Sequence, residues 1–295
     1  MSPASRGTAP PLWIPLGLGL ALRLVNLQAP ILGVHSWRQA DTAAIARNYL
    51  EQGMALWLPR VDWSGAGPGF AETDFPIYSW AVALLYQLSG VQVWLARGLS
   101  VLASVLTIVL VARIGERLLG ARAGWWGALS YAFLPIPVFY GRTVQPEATL
   151  MLLAAWCLER ALAWRDRGRR RDLLFCWLGF SGCLLVKLLP VVWLGLPLLL
   201  LLSWDAPSWR RIPLRPLPWL FGLSAALVTA AWYAHAHQLG QSTGLSFGFW
   251  GAEANRYSWI DLASPRYWGD LLLRITVRNL AVIGLPLLGR GSWLP

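Results

Sequence analysis

Phe75-Pro76-Ile77-Tyr78-Ser79-Trp80-Ala81-Val82-Ala83-Leu84-Leu85-Tyr86-Gln87-Leu88-Ser89 decides the fold, because it fixes the side of a bilayer on which every later loop falls. Asp74 and Pro76 open this run, and Tyr78, Trp80 and Tyr86 line it. As a helix it is about 22 Å long, short of the roughly 30 Å of a hydrocarbon core. Counted as a crossing, it inverts all later loops and puts Arg165–Asp172, with its five arginines, outside. Lys and Arg concentrate in cytoplasmic loops. The segment is therefore expected along the membrane surface, as an amphipathic or re-entrant helix.

Working outward, about eight membrane-length segments can be drawn: Leu12–Leu27, Val93–Ile114, Ala123–Tyr140, Glu147–Trp164, Leu173–Leu188, Pro190–Trp204, Leu217–His235 and Leu271–Leu288. The inner loops are then Arg113–Arg122, Arg165–Asp172 and Trp204–Arg215. The outer turns hold little more than Arg142 and Lys187, so the N-terminus is placed in the cytoplasm. Arg23, near the outer end of the first span, is expected to snorkel to the surface. The expected fold class is all-α: a polytopic membrane helix bundle forming one domain over residues 1–295. A long first outer loop, 29–92, carries surface helices, and a second large outer loop covers 236–270. The two loops hold most acids outside the inner loops, namely Asp41, Glu51, Asp62, Glu72, Asp74, Glu253, Asp261 and Asp270, so function is expected on the outer face.

Composition agrees. The chain is 56% hydrophobic and 13% charged, with mean hydropathy +0.49. That is too apolar for a soluble domain. Its twenty tryptophans suit the headgroup zone. A net charge of +11 suggests a nucleic-acid partner in a soluble protein, but here the bases sit in short loops and no nucleic-acid signature is present. Cys157, Cys176 and Cys183 fall inside predicted spans and read as small buried apolar residues, without a disulfide framework or a zinc site. The first span reads as a retained anchor, since no small-residue cleavage site follows it. A bacterial inner membrane is the expected location.

The chemistry-bearing stretch is His35-Ser36-Trp37-Arg38-Gln39-Ala40-Asp41-Thr42. Ser36 and Gln39 fit a capping box, so a helix is expected from Trp37. Arg38 and Asp41 then lie one turn apart, where the cation keeps the carboxylate ionised and oriented, as a general base requires. The same spacing fits an exposed ion pair, and spacing alone favours that plainer reading. Arg47 and Glu51 read as an ordinary surface pair.

Three segments stand in a telling order: Trp37-Arg38-Gln39-Ala40-Asp41-Thr42, then Glu72-Thr73-Asp74-Phe75-Pro76-Ile77-Tyr78-Ser79-Trp80, then Gly141-Arg142-Thr143-Val144-Gln145-Pro146-Glu147. The set resembles the C-type (GT-C) multi-span glycosyltransferases, in particular the protein mannosyltransferase and lipid A aminoarabinose transferase group, over about residues 12–250. The resemblance implies a sugar donor on a polyprenyl phosphate, an inverting transfer, and an acid of the first outer loop as base, a position that Asp41 takes. It also implies a second acid near the site, matched by Glu147 as a contact to a substrate hydroxyl or a metal. Arg38 and Arg142 are candidates for the donor phosphate, because guanidinium forks match its oxygens. The aminoarabinose transferases carry their loop arginine after the acid, whereas Arg38 precedes Asp41. Relatives often have Glu-Lys-Pro before the surface helix, with the Lys near the lipid phosphate. Here Asp74-Phe75-Pro76 lacks that cation, and Lys187 is the candidate replacement, against plain snorkelling. Glu72, Asp74, Tyr78 and His35 complete the candidate substrate contacts. Some relatives use a divalent metal, but one His with one acid makes a poor site, so no cofactor or required metal is expected. Partners are then a polyprenyl-phosphate sugar, an acceptor of open identity (lipid, glycan or protein) and membrane lipids. The alternative is a polyprenyl-lipid-binding or transport protein without catalysis. It draws support from the chain ending at Pro295, where family members usually continue through further spans.

Overall fold

The computed structural model describes residues 9–205, 208–246, 264–273 and 276. Among these every regular element is helical: α1 (Trp13–Leu24), α2 (Ser36–Gln52), α3 (Ile77–Ser89), α4 (Val93–Leu119), α5 (Ala121–Phe133), α6 (Pro135–Tyr140), α7 (Glu147–Arg167), α8 (Arg170–Val186), α9 (Pro190–Leu202), a 3₁₀ turn (Trp209–Leu214), α10 (Pro216–Thr243) and α11 (Pro265–Leu273). Two isolated bridges, Arg60↔Phe70 and Glu72↔Ser246, are the strand-like pairings. The expected acids Glu253 and Asp261, residues 247–263 of the loop 236–270, and most of the expected span Leu271–Leu288 lie outside the described residues.

Helices α4 and α10 are long and apolar enough to cross a membrane. At 27 and 28 residues they reach about 40 Å each. Helices α1 and α9 are apolar but shorter. Helix α10 presents Leu220, Leu223 and Leu227 outward, and α9 presents Val192 and Leu196. Against α4 lie α5 on one side and α7 on the other, and α8 packs on α7. The α4–α5 contact is unusually close. A Cβ on Gly115 would stand 2.7 Å from Gly124 Cα, and one on Gly124 would stand 2.3 Å from the Ala112 carbonyl oxygen.

Helix α3 is 13 residues long, about 20 Å. It is not an isolated surface helix. Tyr78, Val82 and Tyr86 are buried against Ala46 of α2 and Ala96 of α4, while Ala83 packs with Ile45 and Tyr49 of α2. The expected span Ala123–Tyr140 is broken. Pro135 forces Leu134 into extended backbone (ψ 134°) and α5 stops.

That break explains Arg23, which does not snorkel but is fully buried. A helix leaves its last carbonyls without intrahelical partners, and Pro135 has no N–H to offer Tyr131 four residues back. Arg23 takes over this role. Its Nη2 donates to the Tyr131 carbonyl at 3.2 Å, Nη1 to those of Ala132 at 3.0 Å and Gly19 at 2.9 Å, and Nε to Ser104 Oγ at 2.7 Å. A cation at a helix C-terminus also meets the favourable end of its dipole. Arg97 acts similarly, donating to the carbonyls of Asn26, Leu27, Ala29 and Pro30 and so fixing the α1–α2 connection.

At the far end of α4, Arg117 bonds Asp166 at 2.9 Å and Glu159 at 3.1 Å. Arg160 pairs with Glu159 and, at 2.9 Å, with Asp172. Glu159 and Asp172 are buried carboxylates and need these partners. The three cysteines are free and buried, as expected, with the Cys157 and Cys176 sulfurs 3.6 Å apart.

Candidate active site

The site starts with the entry to α2. His35, at φ +56°, turns the chain into the helix and supplies no side-chain cap. The expected Ser36/Gln39 capping box does not form. Gln39 Nε2 donates instead to the Val34 carbonyl at 3.2 Å, and its Oε1 accepts the Val144 N–H at 3.2 Å. One amide therefore ties α2 to the 141–147 segment. The tie brings Arg38 to Glu147 at the first turn of α7, with Nε 4.0 Å from Oε1.

A cavity of about 630 Å³ opens between α2, the 72–79 segment, the α8–α9 junction and α10. Its polar side carries Arg38, Asp41, Glu72, Asp74 and Lys187, and its apolar side is made by Leu188, Leu189, Val191 and Val192 with Phe75. Lys187 is extended at the end of α8 and does not snorkel away. Its Nζ meets Glu147 Oε1 at 2.6 Å. Arg38 does not pair with Asp41, as the helical spacing suggested, but with Asp74, Nη2 to Oδ2 at 3.6 Å. Asp74 also accepts the Tyr233 hydroxyl at 3.2 Å. Burial pushes the Asp74 carboxyl above the usual carboxylate range, against the pull of Arg38, Lys187 and the Tyr233 hydroxyl. Arg38, Lys187 and Asp74 thus meet at one end of the cavity, and Glu147, which is not among its lining residues, pairs with the two cations.

Asp41 stands apart from that cluster. Loss of solvent pushes its carboxyl up, the indole N–H of Trp63 pulls it down by hydrogen bonding, and the charge of Asp62 pushes it up again. Partial loss of solvent pushes the exposed Asp62 carboxyl up, but the hydrogen bonds from Asn48 and Arg47 outweigh it and hold it below the usual range. Arg47 Nη2 lies 2.6 Å from Asp62 Oδ2, while its expected partner Glu51 is 3.6 Å from Nε. Among the described residues no cation pairs with Asp41, and a half-buried carboxylate with a raised pKa and no such partner is a stronger base than one locked in an ion pair.

The other sequence candidates are placed as follows. Glu72 is buried in the cavity wall, its Oε1 3.4 Å from His237 Nδ1. Its backbone N–H donates to Leu245, and Gly240 is required opposite it, since a Cβ there would come within 2.8 Å of the Glu72 side chain. Tyr78 borders the cavity, but its hydroxyl is turned away, donating to the Ala96 carbonyl at 2.8 Å beside Ser100. Packing of α3 on α4 decides that orientation. Arg142 lies off the cavity, with Nη1 3.3 Å from the Val25 carbonyl. His35 is exposed at the helix entry and also off the cavity. Among the described residues no group of three or more His, Cys, Asp or Glu is arranged to hold a metal ion. Sequence reasoning missed Trp63 and Tyr233. Neither has a neighbour in sequence that marks it, and Tyr233 lies 159 residues from Asp74.

The sequence profile of the dolichyl-phosphate-mannose-protein mannosyltransferase family matches residues 72–235, more than half of the chain. The chain belongs to this family. The ordered motifs resemble the same GT-C group. Among solved structures, the chain is similar to ArnT from Cupriavidus metallidurans in the apo state, at 20% identity and a TM-score of 0.58 over 79% of this chain. It matches the crystal structure of the same protein bound to undecaprenyl phosphate at 21% identity and the same TM-score. The shared fold is the content of that likeness. The chain spans 42% of the length of these ArnT structures. No curated protein sequence matches.

Proposed function

We propose that this chain is an integral membrane glycosyltransferase that moves a sugar from a polyprenyl phosphate to an acceptor hydroxyl, with inversion. One observation carries the reading: a single cavity holds a half-buried carboxylate that no cation pairs with among the described residues, a pair of cations and an apolar wall. The wall at Leu188, Leu189, Val191 and Val192 suits an isoprenoid tail entering from the bilayer. Arg38 and Lys187 suit its phosphate. Family membership and the undecaprenyl phosphate held by the ArnT structure support the same ligand class. In the transfer, the acceptor oxygen bonds to the anomeric carbon and its proton passes to Asp41. The bond from that carbon to the phosphate oxygen breaks, and its electron pair leaves on the phosphate, where Arg38 and Lys187 stabilise the charge. Glu147 and Asp74 hold the cations in place while the site is empty. Glu147 is thereby better read as a positioning acid than as a metal contact.

The eight-span topology, cytoplasmic N-terminus, inner-membrane location and outward-facing site belong to this proposal. The ion-pair cluster at Glu159 and Arg160 supports the orientation. It lies about 18 Å along α7 from Glu147, followed by the arginine-rich loop, so the bases gather at the end opposite the cavity. The test is release of free undecaprenyl phosphate from an undecaprenyl-phosphate sugar by the full chain in lipid nanodiscs. Acceptor-dependent release supports transfer. Binding of the lipid without release, across a panel of sugars and acceptors, points to the non-catalytic alternative.

A further inference from the structure

The surroundings of Asp41 narrow the class of acceptor, on the reading that Asp41 is the base. Trp37 and Asp41 are four residues apart on α2, so indole and carboxylate share one helix face. Trp37 lines the cavity with 62% of its surface exposed. Trp63 is 47% exposed, and its N–H is engaged by the Asp41 carboxyl. The loop that carries Trp63 is anchored nearby. Asp62 bonds Arg47 and Asn48, and the Trp57 carbonyl lies 2.8 Å from His235 Nε2. A tryptophan that anchors a protein in the headgroup zone keeps its N–H for water and lipid. Trp63 gives its N–H to a protein carboxylate, and Trp37 faces a cavity.

Two uncovered apolar plates therefore stand beside the group that must accept a hydroxyl proton. A pyranose fits both demands, with a face of C–H bonds and a rim of hydroxyls. Its weakly positive C–H groups complement the negative face of an indole. A serine or threonine peptide brings the hydroxyl without the face. We propose that the acceptor is a carbohydrate, seated with its apolar face on Trp37 and one hydroxyl on Asp41. That hydroxyl oxygen forms the new bond to the anomeric carbon, its proton goes to Asp41, and polyprenyl phosphate departs with the bonding pair.

The test uses the full chain in nanodiscs without donor, probed with methyl β-glucopyranoside, methyl α-mannopyranoside and an acetylated, amidated Ala-Thr-Ala peptide. Saturation-transfer NMR is expected to mark ring C–H protons of at least one glycoside and none of the peptide. Trp37→Ala is expected to weaken that binding about tenfold, with Trp37→Tyr retaining most of it. Trp37 is exposed, so its removal leaves the fold intact, and a melting curve checks this. Equal saturation in wild type and Trp37→Ala, saturation of the peptide alone, or no saturation of either glycoside overturns the proposal. Turnover of Asp41→Asn is measured separately. Glycoside binding that depends on Trp37 supports the carbohydrate subsite even where that variant still turns over, a result that sinks the base assignment alone.

Discussion

Removing Lys187 separates the two roles that the cation cluster is given. Its Nζ bonds Glu147 Oε1 at 2.6 Å, and both side chains are mostly buried, 22% and 16% exposed. Among the described residues, Lys187→Met leaves Glu147 with only Arg38, at 4.0 Å, and Glu147 Oε2 has no hydrogen-bond partner there. A buried charged hydrogen bond lost on one side costs about 2 kcal/mol of stability. Adding Glu147→Gln removes the orphaned charge and is expected to recover most of that loss. Lipid-phosphate affinity is expected to behave differently. It falls by about 2 kcal/mol, or about thirtyfold, in Lys187→Met, and stays low in the double variant because the cation is still missing. Glu147→Gln alone frees Lys187 and does not weaken binding. Melting temperature and undecaprenyl phosphate binding in nanodiscs are read on all four proteins. If the double variant regains phosphate affinity along with stability, Lys187 is only the counter-ion of Glu147 and the phosphate assignment fails.

Turnover is expected to fall on acidification at a pH above the ordinary carboxylate range, because protonating Asp41, whose pKa is raised, removes the base. Trp63→Phe deletes the hydrogen bond that favours the ionised form, so a pH–rate profile should show this limb moved further up; a downward shift contradicts the sign. Arg23→Leu orphans the Tyr131 and Ala132 carbonyls at the end of α5 and is expected to lower stability by about 3 kcal/mol, read as a drop in melting temperature. Gly124→Val pushes a side chain into the Ala112 carbonyl, prising α4 from α5 at a cost of about 1–3 kcal/mol, with the same readout.

The helical class and the family were legible in the sequence because both are written locally, in apolar runs ended by Gly120 or Pro135 and in three short motifs. Arg38, Asp41, Asp74 and Lys187 line one cavity, but it was the resemblance, not their local spacing, that singled them out together. Their partners were not legible. Arg38 reaches Asp74 rather than Asp41 because the 72–79 segment docks on α2, where Ser79 Oγ donates to the Thr42 carbonyl at 3.1 Å. Arg23 is buried because a proline more than a hundred residues away frees two carbonyls. Tyr78 turns its hydroxyl to α4 through packing of α3. Trp63 and Tyr233 meet their carboxylates only once loop 53–71 and α10 are docked. In each case a long-range contact overrides what spacing along one helix suggests.

Replacement of one carboxyl oxygen at position 41 reaches the core of the account. Asp41→Asn keeps side-chain size, the Trp63 contact and the cavity, and removes the proton acceptor. Release of undecaprenyl phosphate should fall by a factor of about 10²–10⁴ while the donor still binds with unchanged affinity. Turnover of Asp41→Asn at the wild-type rate, with a wild-type melting temperature, contradicts the assignment of Asp41 as the base.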